Sequence, residues 1–245
     1  MQYYHFDTIN STNTYLQEQQ SLGVDVDGWV VSADEQANGK GMGSNVWHSE
    51  ASKNLLFSMA FRLDFLEASE QFLISQAVAL SILRVLDAHL PSELLSVKWP
   101  NDIYYGEKKM GGVLIVNTIA GAMMDTSIIG IGLNVNQTLF PDYLPNPISM
   151  SFVTGETYDL KSLLETLVEQ VRSTLFAMKD LAFSETLKRE YLRRLFRYHK
   201  IGRYCIGGHE VVRFMEGVDG FGRLLLRDEK DVITAYDIKE VTFVL

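Results

Sequence analysis

Lys98-Trp99-Pro100-Asn101-Asp102 closes a strand candidate at Leu94–Lys98 and reads as a rigid strand exit. Pro100 fixes its own φ and pushes Trp99 into an extended conformation. Asn101 and Asp102 then stand where a strand ends, a usual place for ligand-binding polar groups. Asp102 can hold the Mg²⁺ of a nucleotide, because that hard cation prefers carboxylate oxygen. A plain strand-ending turn would use the same residues, for which Pro-Asn-Asp is well suited.

Downstream, Lys108-Lys109-Met110-Gly111-Gly112 feeds a strand candidate at Gly112–Asn117. A lysine just before a glycine pair can enter a pocket while the glycines leave room for a ligand. The Lys109 ammonium would screen a substrate carboxylate from a nucleotide phosphate; a solvated basic turn is the plain alternative. A further strand is expected over Met123–Val135, including Gly130-Ile131-Gly132-Leu133-Asn134, and Pro141, Pro145 and Pro147 mark an irregular connection. Leu160–Met178 and Phe183–Tyr198 read as helices. From Ile201 the pattern switches to short strands (Tyr204–Ile206, Glu210–Val218, Arg223–Arg227, Val232–Tyr236) split by glycines. That predicts an α+β domain over 1–198 followed by a small β-barrel over 199–245.

Upstream, Glu70–Leu90 carries apolar residues at helical spacing and predicts an amphipathic helix, which Pro91 would stop. Leu55–Leu63 and Gly28–Ala33 read as strands, the latter leading into a polar loop over Asp34–Asn45. That loop holds Gln36, then Gly39, Gly41 and Gly43, with Lys40 and Met42 between them and Trp47 just beyond. Glycines so spaced let a backbone approach a ligand and aim its amides at phosphate or carboxylate oxygens. Trp47 offers a flat surface for a nucleobase. The spacing fits neither the P-loop nor the dinucleotide fingerprint, and a flexible surface loop has the same composition. Ser11-Thr12-Asn13 precedes a helix candidate at Thr14–Gln20, where Ser and Thr commonly serve as caps.

Composition narrows the class. Over 245 residues, 47% are hydrophobic and 22% charged, ordinary for a globular protein with a real core. A net charge of −9 argues against a general nucleic-acid-binding surface. Met1–Asn10 lacks a basic start and an apolar run, so no signal peptide is expected, and no run reaches the ~20 apolar residues of a membrane helix. The single Cys205 excludes an internal disulfide and fits the cytoplasm. His5, His48, His89, His199 and His209 show no metal-ligand spacing, so a structural zinc site is not expected.

Taken in order, these pieces resemble the catalytic domain of biotin–protein ligases: Ser11-Thr12-Asn13, Gln36 with Gly39-Lys40-Gly41 and Trp47, Lys98 to Asp102, Lys109 before Gly111-Gly112, and Gly132-Leu133-Asn134. The Lys-Trp-Pro-Asn-Asp run is specific, and a lysine eleven residues after its Lys98 sharpens the match. The resemblance covers residues 3 to 245. It implies a mixed-sheet domain of the biotin/lipoate ligase type with a small C-terminal SH3-like β-barrel. Too few residues precede the first motif for a helix-turn-helix, so a form without an N-terminal DNA-binding domain is expected. The implied reaction joins biotin to ATP as biotinyl-5′-AMP and passes biotin to a lysine of an acceptor domain. No DNA or membrane partner is expected, and a homodimer through sheet edges is plausible. By the same resemblance Lys109 is the catalytic lysine, and Ser11, Thr12, Asn13, Gln36, Gly39, Lys40, Gly41 and Met42 surround biotin. Lys40, Trp47, Asn101, Lys109 and Asn134 serve the nucleotide, and Asp102 the Mg²⁺. The family's loop is commonly rich in arginine, whereas here Lys40 is followed by Met42, Ser44 and Asn45. A lipoate or octanoate ligase shares the fold and the lysine but lacks the Trp-Pro of the motif. A non-catalytic biotin-binding module would be marked by loss of Lys109 or Asp102.

Overall fold

Leu55–Phe61 is buried at every position, so this strand carries packing on both of its faces. It is the third of seven strands in one mixed sheet, in a computed structural model that describes residues 1–43 and 45–245. The strands are β1 (Gln2–Ile9), β2 (Trp29–Gln36), β3 (Leu55–Arg62), β4 (Leu95–Lys98), β5 (Asp102–Tyr105), β6 (Lys108–Ala120) and β7 (Met123–Leu133). Their spatial order is β1-β2-β3-β7-β6-β5-β4, with only β1 and β2 parallel.

Helix α1 (Thr12–Ser21) covers one face, burying Leu16 against Val26, Val31, Ala60 and Ile128. On the other face lie α2 (Phe72–Leu86), α4 (Leu160–Ala177) and α5 (Leu181–Arg193), after a short α3 (Met150–Thr154). The amphipathic reading of Glu70–Leu90 needs correction. The helix is shorter, and twelve of its fifteen residues are buried because it lies between the sheet and α4 and α5. It ends at Leu86, before Pro91, where Asp87 accepts two 2.9 Å hydrogen bonds from the Arg194 guanidinium. The strand expected over Gly28–Ala33 runs on to Gln36, taking the first three residues of the expected loop. Strands β1 and β5 and helix α3 were not expected. β1 is an edge strand exposed at most positions, so it carries no clear alternation.

Beyond α5, β8 (Ile201–Ile206), β9 (His209–Val218), β10 (Leu224–Arg227), β11 (Ile233–Tyr236) and the unexpected β12 (Val241–Val244) form a separate antiparallel sheet of SH3-like size. Its order is β11-β10-β9-β8-β12. Its apolar side is continuous with the main core through Tyr204, Met215, Leu224, Leu226 and Val241. The Val97 amide donates to Arg194 O at 2.8 Å, and the buried Trp99 Nε1–H donates to Gly222 O at 2.8 Å. Gly222 is pressed so closely onto Phe72 that a β-carbon there would stand 2.5 Å from its ring. The small sheet therefore seats directly on the Lys98–Asp102 turn.

Candidate active site

One cavity of about 280 Å³ opens where β5, β6 and β7 meet the loop after β2 and the last strand, β12. Ser11, Thr12, Asn13, Gln36, Lys40, Gly41, Met42, Trp47, Asn101, Asp102 and Lys109 all line it. Gly39 and Asn134 do not. Gly39 is buried beneath Trp47, where a β-carbon would stand 2.7 Å from the Trp47 carbonyl oxygen. Asn134 is buried, and its Nδ2 donates to Ile148 O at 3.1 Å, tying the end of β7 to the irregular connection. Ser44 lies outside the described residues.

At one end, polar groups are arranged before any ligand arrives. Ser11 caps α1, its Oγ accepting from the Thr14 amide at 3.3 Å, so its reading as a helix cap holds. The Thr12 amide and hydroxyl both donate to Gln36 Oε1, at 2.8 and 3.2 Å, and the Thr12 and Ser58 hydroxyls share a 2.8 Å hydrogen bond. Asn13 Nδ2 donates to Leu114 O, passing over Gly130, where a β-carbon would stand 3.0 Å from that nitrogen. Ser58 was missed in the sequence because an apolar strand offers no signal for one buried hydroxyl.

In the middle stands Lys109. Opposite β5, the register shifts so that Ile103 faces Gly111 while Tyr104 faces Lys109, leaving Met110 as an extra residue. Such a bulge turns side chains three apart toward the same side, which a regular strand would not do. The Lys109 side chain therefore folds over Gly112 and meets Asp102 Oδ1 at 2.7 Å. Its backbone is pinned on both sides: the Lys109 amide donates to Asn146 O at 2.7 Å, and the Ile148 amide donates to Lys109 O at 3.0 Å. The proline-marked connection thus fixes the lysine. Asn101 Nδ2 donates to Val113 O at 2.6 Å and braces the turn against β6.

Trp47 lies flat on Gly112 and Gly132, with its Nε1 buried and, among the described residues, without a hydrogen-bond partner. The loop that carries it folds back on itself. The Gly41 amide donates to Asn45 O at 2.8 Å and the Trp47 amide to Gly39 O at 2.9 Å. The Gly41 amide, expected to point at a ligand, is thus engaged within the loop. At the far end, Lys98 and residues of β12 and its approach complete the wall: Ile238, Val241, Thr242 and Phe243. Burial first, then the nearby Arg197 guanidinium, pull the Lys98 ammonium below the ordinary lysine range, partly offset by Asp102. Asp102 is the only carboxylate residue among the described residues lining the cavity, which suits Mg²⁺, a cation commonly held by one or two carboxylates plus substrate phosphates. Away from the cavity, on the β1 edge, ligand atoms of His5, Asp7 and Asp34 lie within 4.8 Å of one another, a grouping that spacing alone did not reveal.

The model of the biotin/lipoate A/B protein ligase family matches residues 5–134. The bifunctional ligase/repressor BirA of Bacillus subtilis is 32% identical over 169 residues, covering 67% of this chain and 50% of that protein. The chain thus spans about half the length of the Bacillus relatives it matches. A biotin–[acetyl-CoA-carboxylase] ligase of Mycobacterium tuberculosis is 26% identical over 221 residues, covering 88% of this chain and 79% of its own length. In fold, a biotin protein ligase of Aquifex aeolicus, solved with biotin and ATP, superposes with a TM-score of 0.80 at 23% identity, over 98% of this chain and 97% of that one.

Proposed function

Because the chain belongs to the biotin/lipoate A/B protein ligase family, we propose that it is an ATP-dependent biotin–protein ligase. The observation that carries the reading is Lys109, held 2.7 Å from Asp102 in the same cavity as the prearranged Thr12–Gln36–Ser58 group. In the first half-reaction a biotin carboxylate oxygen attacks the α-phosphorus of ATP. The bond to the bridging oxygen breaks, and pyrophosphate leaves with its electron pair. In the second, an acceptor lysine amine attacks the carbonyl of biotinyl-5′-AMP, releasing AMP and leaving an amide.

Each residue has a part in this scheme. Ser11, Thr12, Asn13 and Gln36 receive the ureido end of biotin, with Ser58 behind them. Lys109 lies between the carboxylate and the α-phosphate, screening two anions and then stabilising charge as it develops. Asn101 and Asp102 face the phosphates, and Asp102 would hold Mg²⁺, which supplies charge neutralisation on the triphosphate. Trp47 gives the adenine a flat wall, and Asn134 supports the pocket from behind by holding β7. Gly39, Lys40, Gly41 and Met42 fold over biotin and the adenylate, keeping water from the anhydride.

We divide the chain into a catalytic domain over 1–198 and a C-terminal β domain over 199–245, and place the protein in the cytoplasm on its lone cysteine. Among the described residues, no helix is long and apolar enough to cross a membrane. The partner is the biotin-acceptor domain of a biotin-dependent enzyme, with no DNA or membrane partner, and a homodimer through sheet edges is the assembly to examine. Incubation with biotin, MgATP and an acceptor domain should add one biotinyl mass to the acceptor. Equal transfer of lipoate in an isotope competition would instead assign the lipoate or octanoate activity.

A further inference from the structure

Lys98 lines the cavity, yet no carboxylate lies within ion-pair distance of its ammonium among the described residues, and no hydrogen bond of its own contributes to its environment. Its Nζ is held between two rings, 5.2 Å from the centre of Tyr104 on β5 and 5.3 Å from that of Phe243 on β12. Lys109, by contrast, already has Asp102. A partly buried cation without an anion is costly to keep, and ring faces offset only part of that cost. The missing counter-charge is what an anionic ligand would bring.

The sheet register says which part of the ligand that is. Lys98 pairs across to Asp102, Asp102 to Gly112, Gly112 to Gly132, and Gly132 to Leu56, one transverse row from β4 to β3. Neighbouring strands lie ~4.8 Å apart, so Lys98 stands about 5 Å beyond Asp102 and about 19 Å from β3. Ser58, in the group assigned to the ureido end, is on β3. Lys109 therefore lies between that end and Lys98. In phosphoryl transfer the attacking and leaving oxygens are roughly in line. If the carboxylate approaches from the β3 side of Lys109, the leaving group departs toward β4. The wall there is Lys98 with Thr242 and Phe243.

We propose that Lys98, set against Thr242 and Phe243 of β12, is the subsite for the departing pyrophosphate. This rests on the nucleotide-dependent reading of the cavity given above. As the bond from α-phosphorus to the bridging oxygen breaks, the electron pair moves onto that oxygen. The Lys98 ammonium stabilises the resulting charge without giving up its proton. The small C-terminal sheet then contributes to ATP use through Phe243, which holds the lysine in place.

Two variants and two ligands test this. Inorganic pyrophosphate is titrated as a product inhibitor of biotin-dependent adenylate formation, and KM for ATP is measured alongside biotin affinity by calorimetry. Lys98→Met should raise both the pyrophosphate inhibition constant and KM for ATP about ten- to hundredfold, as loss of a charge-assisted contact does. Biotin affinity should stay within about twofold, which also shows that the variant is folded. Lys98→Arg keeps the charge and should recover most of the loss. Pyrophosphate inhibition unchanged in Lys98→Met would overturn the subsite, and equal damage in both variants would reduce Lys98 to a packing role. Wild-type protein that releases no pyrophosphate with biotin would instead sink the ligase reading. Direct calorimetry with pyrophosphate alone would still decide whether Lys98 binds it.

Discussion

Replacing Gly132 by alanine isolates the seat of Trp47. A β-carbon at residue 132 would stand 2.5, 2.8 and 2.9 Å from Trp47 Cε2, Cζ2 and Cδ2. Ordinary carbon contacts are about 3.5–4.0 Å, so the indole must retreat by roughly 1 Å. Gly132 is not in the left-handed region, so the backbone itself tolerates alanine. The indole must therefore yield, and its Nε1–H makes no hydrogen bond among the described residues that would resist the shift. Inserting a methyl into a packed seat costs about 1–3 kcal/mol. Through the affinity arithmetic this becomes roughly a five- to 150-fold rise in KM for ATP if the displaced ring is the adenine wall. Gly112→Ala is the internal control, because its β-carbon would meet Trp47 Cζ3 at 3.2 Å and needs a shift of only a few tenths. Its rise should be under about threefold. KM is read from biotin-dependent pyrophosphate release, and tryptophan emission reports the displacement. A Gly132→Ala enzyme with wild-type KM and emission, or a Gly112→Ala enzyme damaged as badly, would refute the reasoning.

Lys109→Met should fold normally and lose about 10²–10³ in the rate of biotin-dependent pyrophosphate release, by removing one preorganised cation from an anionic site; melting and single-turnover assays check both parts. Met42→Arg should slow release of biotinyl-AMP about five- to thirtyfold in a stopped-flow chase, because a charge-assisted hydrogen bond is about twice as strong as a neutral one. KM for ATP should also change at alkaline pH through Lys98, whose ammonium faces Asp102, Tyr104 and Arg197 and is pulled down mainly by burial. Below its folded pKa the charge is present and ATP binds; as pH rises through that value, still below the ordinary lysine range of about 10.4, the charge is lost and KM for ATP rises. Lys98→Arg should abolish that rise. The stability sign runs the other way: burying the charge costs stability at low pH, and that cost is relieved as pH climbs through the folded pKa.

Several elements were legible because their residues report their surroundings locally. The continuous apolar run at Leu55–Leu63 announced a strand, and Glu70–Leu90 announced a helix, though its spacing could not show that α4 and α5 would cover its outer side. β12 was not legible: Val241–Val244 is four residues long and gains its meaning from lying over Lys98. The site shows the same division. Thr12, Gln36, Asp102 and Lys109, each marked by a local motif, line one cavity. The bulge at Met110 that turns Lys109 toward Asp102 depends on strand pairing, and no local pattern announces it. Asn134 stood inside a motif, but it braces the backbone and does not face the cavity.

The transverse row from β3 to β4 has a consequence for substrate choice. The group assigned to the ureido end is anchored on β2, β3 and α1, whereas Lys109 and Asp102 belong to β6 and β5. β7 alone lies between β3 and β6, and β3 is paired with it over eight residue pairs. Two strand intervals separate β3 from β6, about 10 Å across hydrogen-bonded backbone that cannot stretch. Under the proposed reading, the sheet acts as a ruler with its zero at the Thr12–Gln36–Ser58 group and its mark at Lys109. An acid with a side chain one or two methylenes shorter or longer, anchored by the same ring, would present its carboxylate off the mark. The ruler would reject it by length, with no side chain needed to recognise the difference.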